Sequence, residues 1–389
     1  MTLRSCSRAP APSASIWQLG ALVRCGLLVA ASVLGCISPA HADEASGTWT
    51  GEIEGRPNYY WERSTRVIMP AARVSLEAPN GVRMSAAYLV DVIGSASIAS
   101  GVGKDGVFTE LRHAVNTAVG KKFAVGDNEF DLSAHGTFSS EPDYKSWLYG
   151  VRGSFSWNER NSTLRLGLVR VDDSVLSNAM PTFRGELAGL TTNLGFTQLL
   201  SPVLILGACY QFVYLDGFLG NPYRNALVGP LPRAEAPPDH RVRHNAELQL
   251  SWFLPTTETT LQLYARTYLD SWEIFALTPE VRAYQSLGRH WTLRARYRFY
   301  EQTRAEFALA SGQTRYPVGY TGPVTSDPKM SAFHSHQVGL RVEFRLAGLS
   351  GSFLDFAKDA VLDVNFDYQA STSSFGNNVI GSAGGRLPF

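Results

Sequence analysis

The sequence predicts an all-β fold, a transmembrane antiparallel β-barrel of 16 strands, and three observations carry that expectation. Alternation of apolar and polar residues with period two fills most of the chain, as in strands that present one apolar and one polar face. Beyond the N-terminal segment there is no run of 18 or more apolar residues, so the chain has no candidate transmembrane helix. The breaks between alternating segments are short and long by turns, as in barrels with short periplasmic turns and longer external loops.

The first 42 residues read as a cleaved signal peptide. Arg4, Arg8 and Arg24 form a positive n-region without an acid, and Cys25 to Ile37 is a short run of small and apolar residues. Ala40-His41-Ala42 is an A-x-A site, which places cleavage after Ala42 and starts the mature chain at Asp43. The n-region is long, as it would be if translation began downstream of Met1. A second reading takes Val33-Leu34-Gly35-Cys36 as a lipobox with a lipid-bearing Cys36; Leu34 fits that motif poorly and the later site is preferred. Cleavage leaves Cys209 as the one mature cysteine, so no internal disulfide can form. The mature chain is then nearly neutral, with no clustered basic surface of the kind that binds nucleic acid.

The alternation is plain in particular segments. Val82, Met84, Ala86, Tyr88, Val90 and Val92 share a face opposite Arg83, Ser85 and Asp91. Trp291, Leu293, Ala295, Tyr297 and Phe299 oppose Thr292, Arg294, Arg296 and Arg298, a charged row too dense to enter an apolar core. His244 to Trp252, Leu261 to Leu269 and Val338 to Phe344 repeat the pattern. Strands of this length suit a tilted crossing of the hydrocarbon layer. In lipid, every backbone N–H and C=O must be paired, which a closed barrel achieves without an edge. The apolar faces then point to lipid, with aromatics near the strand ends. A soluble all-β protein is the alternative.

Short turns are expected at Pro79-Asn80-Gly81, Asn158 to Asn161, Ser201-Pro202, Pro255 to Glu258 and Leu287 to His290. Long breaks fall near Gly94 to Gly106, Asp172 to Glu186, Gly217 to His240 and Glu301 to Ala332. From a periplasmic N-terminus the alternation closes at 16 strands, or at 18 if the segment Glu301 to Ala332 hides a further hairpin. Helix is scarce, with a turn or two expected from Gly351 to Asp359. Phe389 matches the terminal aromatic read by outer-membrane assembly machinery, although Gly384, Gly385 and Pro388 make a poor strand.

Several segments form a familiar set. They are Gly55-Arg56-Pro57-Asn58-Tyr59-Tyr60-Trp61-Glu62-Arg63-Ser64-Thr65-Arg66-Val67 and Tyr88-Leu89-Val90-Asp91-Val92-Ile93 with Ala96-Ser97. Asp216 to Arg224, Pro238 to His244, Tyr268 to Trp272 and Arg296 to Tyr300 complete it. Together they resemble an uncharacterised proteobacterial outer-membrane barrel family, a domain of unknown function frequent in myxobacteria. The resemblance implies the fold and little chemistry. A weaker similarity is to the barrel porins of polysaccharide export, which pair with a short periplasmic polysaccharide-export protein lacking its own membrane segment.

The richest constellation is an inward charge set of Arg243, Glu247, Arg266, Arg294, Arg296, Arg298, Arg341, Glu343 and Arg345. Such rows can line a water-filled lumen and select anionic solutes or acidic polymer. They can equally pair across strands and fill a narrow interior, which is the preferred reading. Asp270-Ser271-Trp272 falls at a short external connection, where Trp272 could stack on a sugar face but an interfacial Trp in a turn is the simpler reading. Asn221, Tyr223 and Arg224 lie in the Gly217 to His240 loop, whose Pro and Asn suggest a fixed turn that can fold inward as a constriction.

His334 and His336 share a strand face close enough to share a metal, but no further ligands are ordered around them, and an accidental pair is preferred. No Gly-x-Ser-x-Gly elbow and no phosphate-cradling loop is present. The expected function is a porin-like channel or translocon for polar or anionic solutes in the Gram-negative outer membrane. It requires no metal, cofactor or covalent chemistry, and its expected partners are lipid, the barrel assembly machinery and, in the export version, a periplasmic export protein. The alternatives are a closed barrel displaying its loops and an outer-membrane hydrolase.

Overall fold

Each alternating segment becomes a strand whose two neighbours in sequence are its neighbours in space. A computed structural model describes residues 47–63, 65–95, 108–347 and 357–389. The expectations for the first 42 residues, including cleavage at Ala42 and a lipidated Cys36, lie outside the described residues. So do Ser64, Ala96-Ser97, most of the long break at Gly94 to Gly106 and most of the helical turn expected from Gly351.

The strands are β1 (Thr50–Glu62), β2 (Thr65–Glu77), β3 (Val82–Ser95), β4 (Phe108–Val125), β5 (Asn128–Ser140), β6 (Tyr144–Trp157), β7 (Ser162–Val175), β8 (Gly185–Ser201) and β9 (Leu204–Gly217). A small hairpin follows, β10 (Asn225–Val228) and β11 (Leu231–Ala234). Then come β12 (His240–Leu254), β13 (Thr259–Asp270), β14 (Phe275–Leu287), β15 (Trp291–Gln302), β16 (Phe333–Arg345), β17 (Val361–Ser371) and β18 (Asn378–Pro388). All but β10 and β11 join one closed antiparallel barrel of 16 strands, in which β9 pairs with β12 and β18 pairs with β1.

The further wall hairpin that the segment Glu301 to Ala332 could have held does not form, and the small β10–β11 hairpin lies in the Gly217 to His240 loop, outside the barrel wall. The segment 303–332 carries Pro317, Pro323 and Pro328 and lacks alternation, so it cannot sustain a ladder. The four-residue strands β10 and β11 pair with each other instead and are too short to cross a bilayer. The C-terminus is a second correction. Despite its glycines, Asn378–Pro388 is the closing strand, paired with both β17 and β1. Phe389 extends the seam, since its N–H donates to Gly51 O and its carbonyl accepts from Gly51 N–H, both at 2.8 Å. The β4–β5 turn was also passed over in the sequence reading. Gly126, at φ +60, reverses β4 into β5 in the left-handed region that glycine enters without strain.

Pairing fixes which face each side chain takes. Leu132, Leu166, Leu248, Leu340 and Val364 stand outside with half or more of their surface exposed. An apolar belt that exposed is stable only against lipid. Its borders are aromatic. At the turn end, Phe123, Phe130, Phe155, Trp157 and Phe196 follow one another around the wall with ring centroids 4.7–6.2 Å apart, and Trp291 meets Phe344 at 4.5 Å. Nearer the loop end, outward Tyr–His pairs satisfy their polar tips before they reach hydrocarbon. The Tyr88, Tyr210 and Tyr297 hydroxyls lie 2.7, 2.7 and 2.9 Å from Nδ1 of His113, His244 and His336.

Candidate functional site

The inner face of the wall from β12 through β18 to β1 carries the charge set read from sequence, and the structure supplies its partners. Arg266 donates through Nε to Glu247 at 2.8 Å. Arg298 and Arg282 each donate to one oxygen of Glu280. Arg341 lies 3.3 Å from both Glu343 and Asp363, and Arg345 lies 3.5 Å from Glu343. Arg294 donates to the side-chain oxygen of Asn365, and Arg296 pairs with Asp367 at 2.7 Å. Arg243 is the exception, with neither an ion pair nor a side-chain hydrogen bond among the described residues. Of the nine residues named from the sequence, eight are paired or hydrogen-bonded.

The partners that the sequence reading missed are Arg56, Glu280, Asp363 and Asp367. Asp363, Asn365, Asp367 and Gln369 alternate as cleanly as any row that was used, so the signal was present. What no pattern shows is how far the arginines reach. Arg56 on β1 forms two hydrogen bonds of 2.9 Å with Asp363 on β17, passing over β18 where Gly384 stands. A Cβ on Gly384 would meet the Arg56 guanidinium at 2.7 Å. Arg296 on β15 likewise crosses β16 at Gly339 to reach Asp367. A Cβ on Gly339 would collide with that carboxylate. In both places a glycine leaves an opening through which charges two strands apart are joined.

At the loop end, the β9–β12 and β15–β16 connections fold together into a cap with its own apolar centres. Trp272, Ile274, Ala305 and Ala308 form one, and Ala226, Tyr316 and Val324 another. Asp270 organises the first. One oxygen accepts from the backbone N–H of Trp272 and Ile274, and the other accepts from Arg241 and from the Tyr268 hydroxyl. Arg241 lies 4.0 Å over the Trp272 ring, whose Nε1 donates to His240 O. Trp272 is only 5% exposed, so it is neither a sugar-stacking platform nor an interfacial anchor. It is the packing centre of the cap.

The turn around Asn221 is fixed, as its composition suggested. Asn221 Oδ1 accepts from Tyr223 N–H, and Arg224 is clamped between Glu235 at 3.1 Å and Asp327 at 3.0 Å. The Tyr223 hydroxyl reaches the β5–β6 connection, where it donates to Asp143, and it accepts from Asn178 N–H of the β7–β8 connection. Burial raises the Tyr223 and Tyr316 phenols above their ordinary range, so both remain donors at any physiological pH. Gln302 adds a tie from the inner wall, donating to the carbonyls of Lys329 and Ser331. The cap thus holds the loop-end mouth from the β5–β6 connection round to β15.

The opposite wall differs. Along β4–β9 most of the residues that bound a cavity of about 1260 Å³ in the turn-end half of the barrel are small or uncharged, including Gly120, Ser133, Ser154, Gly167, Asn193, Gly195 and Gly207, with Asp131, Arg152 and Arg165 the charged ones. Cys209 lies on this wall with its thiol exposed. His334 and His336 lie on the outer face with rings 5.9 Å apart, away from the lumen. Glu110, Glu141 and Asp143 bring carboxylate oxygens within 4.8 Å of one another at the rim, but Tyr223 already occupies Asp143, and Arg112 approaches Glu141 at 3.8 Å.

Residues 182–373 match a family described as "Protein of unknown function (DUF3570)". This agrees with the resemblance carried by the sequence, and four of its six segments, from Asp216 to Tyr300, fall inside the matched span. No curated protein matches. Among solved structures, a bacterial polysaccharide outer membrane secretin shares 11% identity over 89% of this chain and 100% of its own, with a TM-score of 0.48. The outer membrane protein OprD from Pseudomonas aeruginosa shares 8% over 88% of this chain and 94% of its own, with a TM-score of 0.43. The siderophore receptor PirA from the same organism shares 13% over 88% of this chain, with a TM-score of 0.44, and this chain spans 62% of its length. The likeness is one of barrel architecture.

Proposed function

We propose that this protein is a porin-like channel of the Gram-negative outer membrane for small polar solutes. In this reading the loop end faces outward and the turn end faces the periplasm. The observation that carries it is the cavity of about 1260 Å³ along the β4–β9 wall, where small side chains leave space that the charged wall fills. No covalent step is required. Solute passes along the small-residue wall, while the cap narrows the outer mouth. Conductance of the purified protein in planar bilayers tests the reading. Steps of single-channel size that fall when Cys209 is modified by a methanethiosulfonate reagent are expected; absence of conductance at any voltage would count against it.

A second reading, a closed barrel that displays its loops, draws support from the ties between the cap and Asp143, Asn178 and Gln302. Replacing residues 306–327 by a short Gly-Ser linker separates the two. If only the shortened protein conducts, the cap is a gate. If neither conducts, the barrel is closed.

Polysaccharide export is the narrower version. It rests on the sequence similarity to export porins and on the expectation of a periplasmic export partner, and normal surface polysaccharide in a deletion strain would exclude it. Recognition of Phe389 by the assembly machinery is supported by its place on the closing seam, and Phe389→Ala should lower the folded fraction recovered in outer membranes. Sequencing of the mature N-terminus should find Asp43.

A further inference from the structure

From the geometry of the cavity we infer a binding site for small oxyanions, such as phosphate or carboxylate, formed by Arg152 on β6 and Arg165 on β7. The inference deepens the channel reading and rests on it. Neither arginine belongs to the charge set that the sequence pattern singled out. Both line the cavity and both are exposed to it. Arg152 pairs with Gly167 and Arg165 with Ser154, so the two are diagonal neighbours on one face, roughly 7–8 Å apart at their backbones.

Their charge balance sets them apart. Among the described residues, neither has a carboxylate within 4 Å, whereas most arginines of the opposite wall, among them Arg266, Arg296 and Arg298, have one. Asp131 on β5, which pairs with Ser154 beside them, is bound by Arg83. Glu247, across β8 and β9, is bound by Arg266. Arg165 donates through Nη1 to Thr197 at 2.8 Å, leaving its other donors free of acid partners. Glu52 and Glu77 also line the cavity, from β1 and β2 on its far side.

Two adjacent guanidiniums repel unless water or an anion screens them. Their planar donor forks match a two-oxygen edge such as that of a carboxylate or phosphate. The wall around them has the room. A Cβ on Gly167 would stand 3.6 Å from both Arg152 and Asn193, and one on Gly195 would stand 3.6 Å from Arg165, so larger residues at either place would fill the space over the arginines.

Cys209 is a native reporter of this site. Arg165, Gly195 and Cys209 lie level on three successive strands, which puts the thiol about 10 Å from the Arg165 backbone. The test compares the rates at which anionic sulfonatoethyl and cationic trimethylammonioethyl methanethiosulfonate modify Cys209 in the folded, full-length protein in detergent. Folding is checked by heat modifiability on gels. The anionic reagent should be favoured, and the ratio of the two rates should fall about five-fold in Arg152→Gln/Arg165→Gln, the size expected for two partly screened charges at this distance. The two single variants should give intermediate ratios, and they stand in if the double variant fails to fold. Inorganic phosphate at millimolar concentration should slow the anionic reagent in the wild type only. A ratio unchanged by loss of the arginines, or no protection by phosphate, overturns the site and leaves the open lumen standing. A thiol inert to both reagents closes the lumen itself, and the channel reading falls with the site.

Discussion

The two walls of this barrel solve the same problem in opposite ways. Both must satisfy an interior facing away from lipid. The wall from β12 to β1 fills it with arginines and carboxylates that neutralise one another, some across an intervening glycine strand. The wall from β4 to β9 empties it, with glycines and small polar residues that leave a cavity. The difference teaches that charge density in a strand pattern marks where an interior is braced, and that solute passage is better sought where the pattern is weakest.

Substitutions test that contrast. The largest effect is expected for Gly339→Leu, which closes the opening between Arg296 and Asp367 and strands a buried carboxylate, at about 4 kcal/mol or more; the folded, heat-modifiable form should be lost. Glu280→Gln leaves Arg282 and Arg298 without their shared counter-charge, and urea unfolding in lipid should report a loss of about 3 kcal/mol. Trp272→Ala empties the centre of the cap at a local cost of about 3 kcal/mol. Limited proteolysis should cut within 303–332 while the barrel keeps its unfolding midpoint. The smallest stability change is expected for Gly195→Leu, under about 1 kcal/mol, because a Cβ there makes only ordinary contacts, 3.6 Å from Arg165 and 4.0 Å from the Ala208 carbonyl. Its conductance, by contrast, should fall. If Gly195→Leu destabilises as much as Gly339→Leu, the two walls are braced alike and the distinction fails.

Legibility followed the same division. The nine inward residues from Arg243 to Arg345 could be placed from parity alone, because a one-residue slip would have sent them into lipid. Arg152 and Arg165 drew no notice, since neither sits in a row of alternating charges like the one on β15. Trp272 was legible as a loop residue, but its burial was not. It depends on Arg241, Ile274 and Ala305, which come together from the start of β12 and from two separate connections. The β10–β11 hairpin was not legible, since four-residue strands carry too little alternation to register.

By itself, then, the sequence pointed to a closed barrel of 16 strands, with 18 left open, because period-two alternation and the need to pair every backbone group in lipid favour that arrangement. Only the tertiary structure decided which charges cancel, where a cavity remains and how the mouth is covered. Those outcomes depend on contacts between strands and loops far apart in the chain, such as Arg56 with Asp363 and Tyr223 with Asp143, which no local pattern encodes.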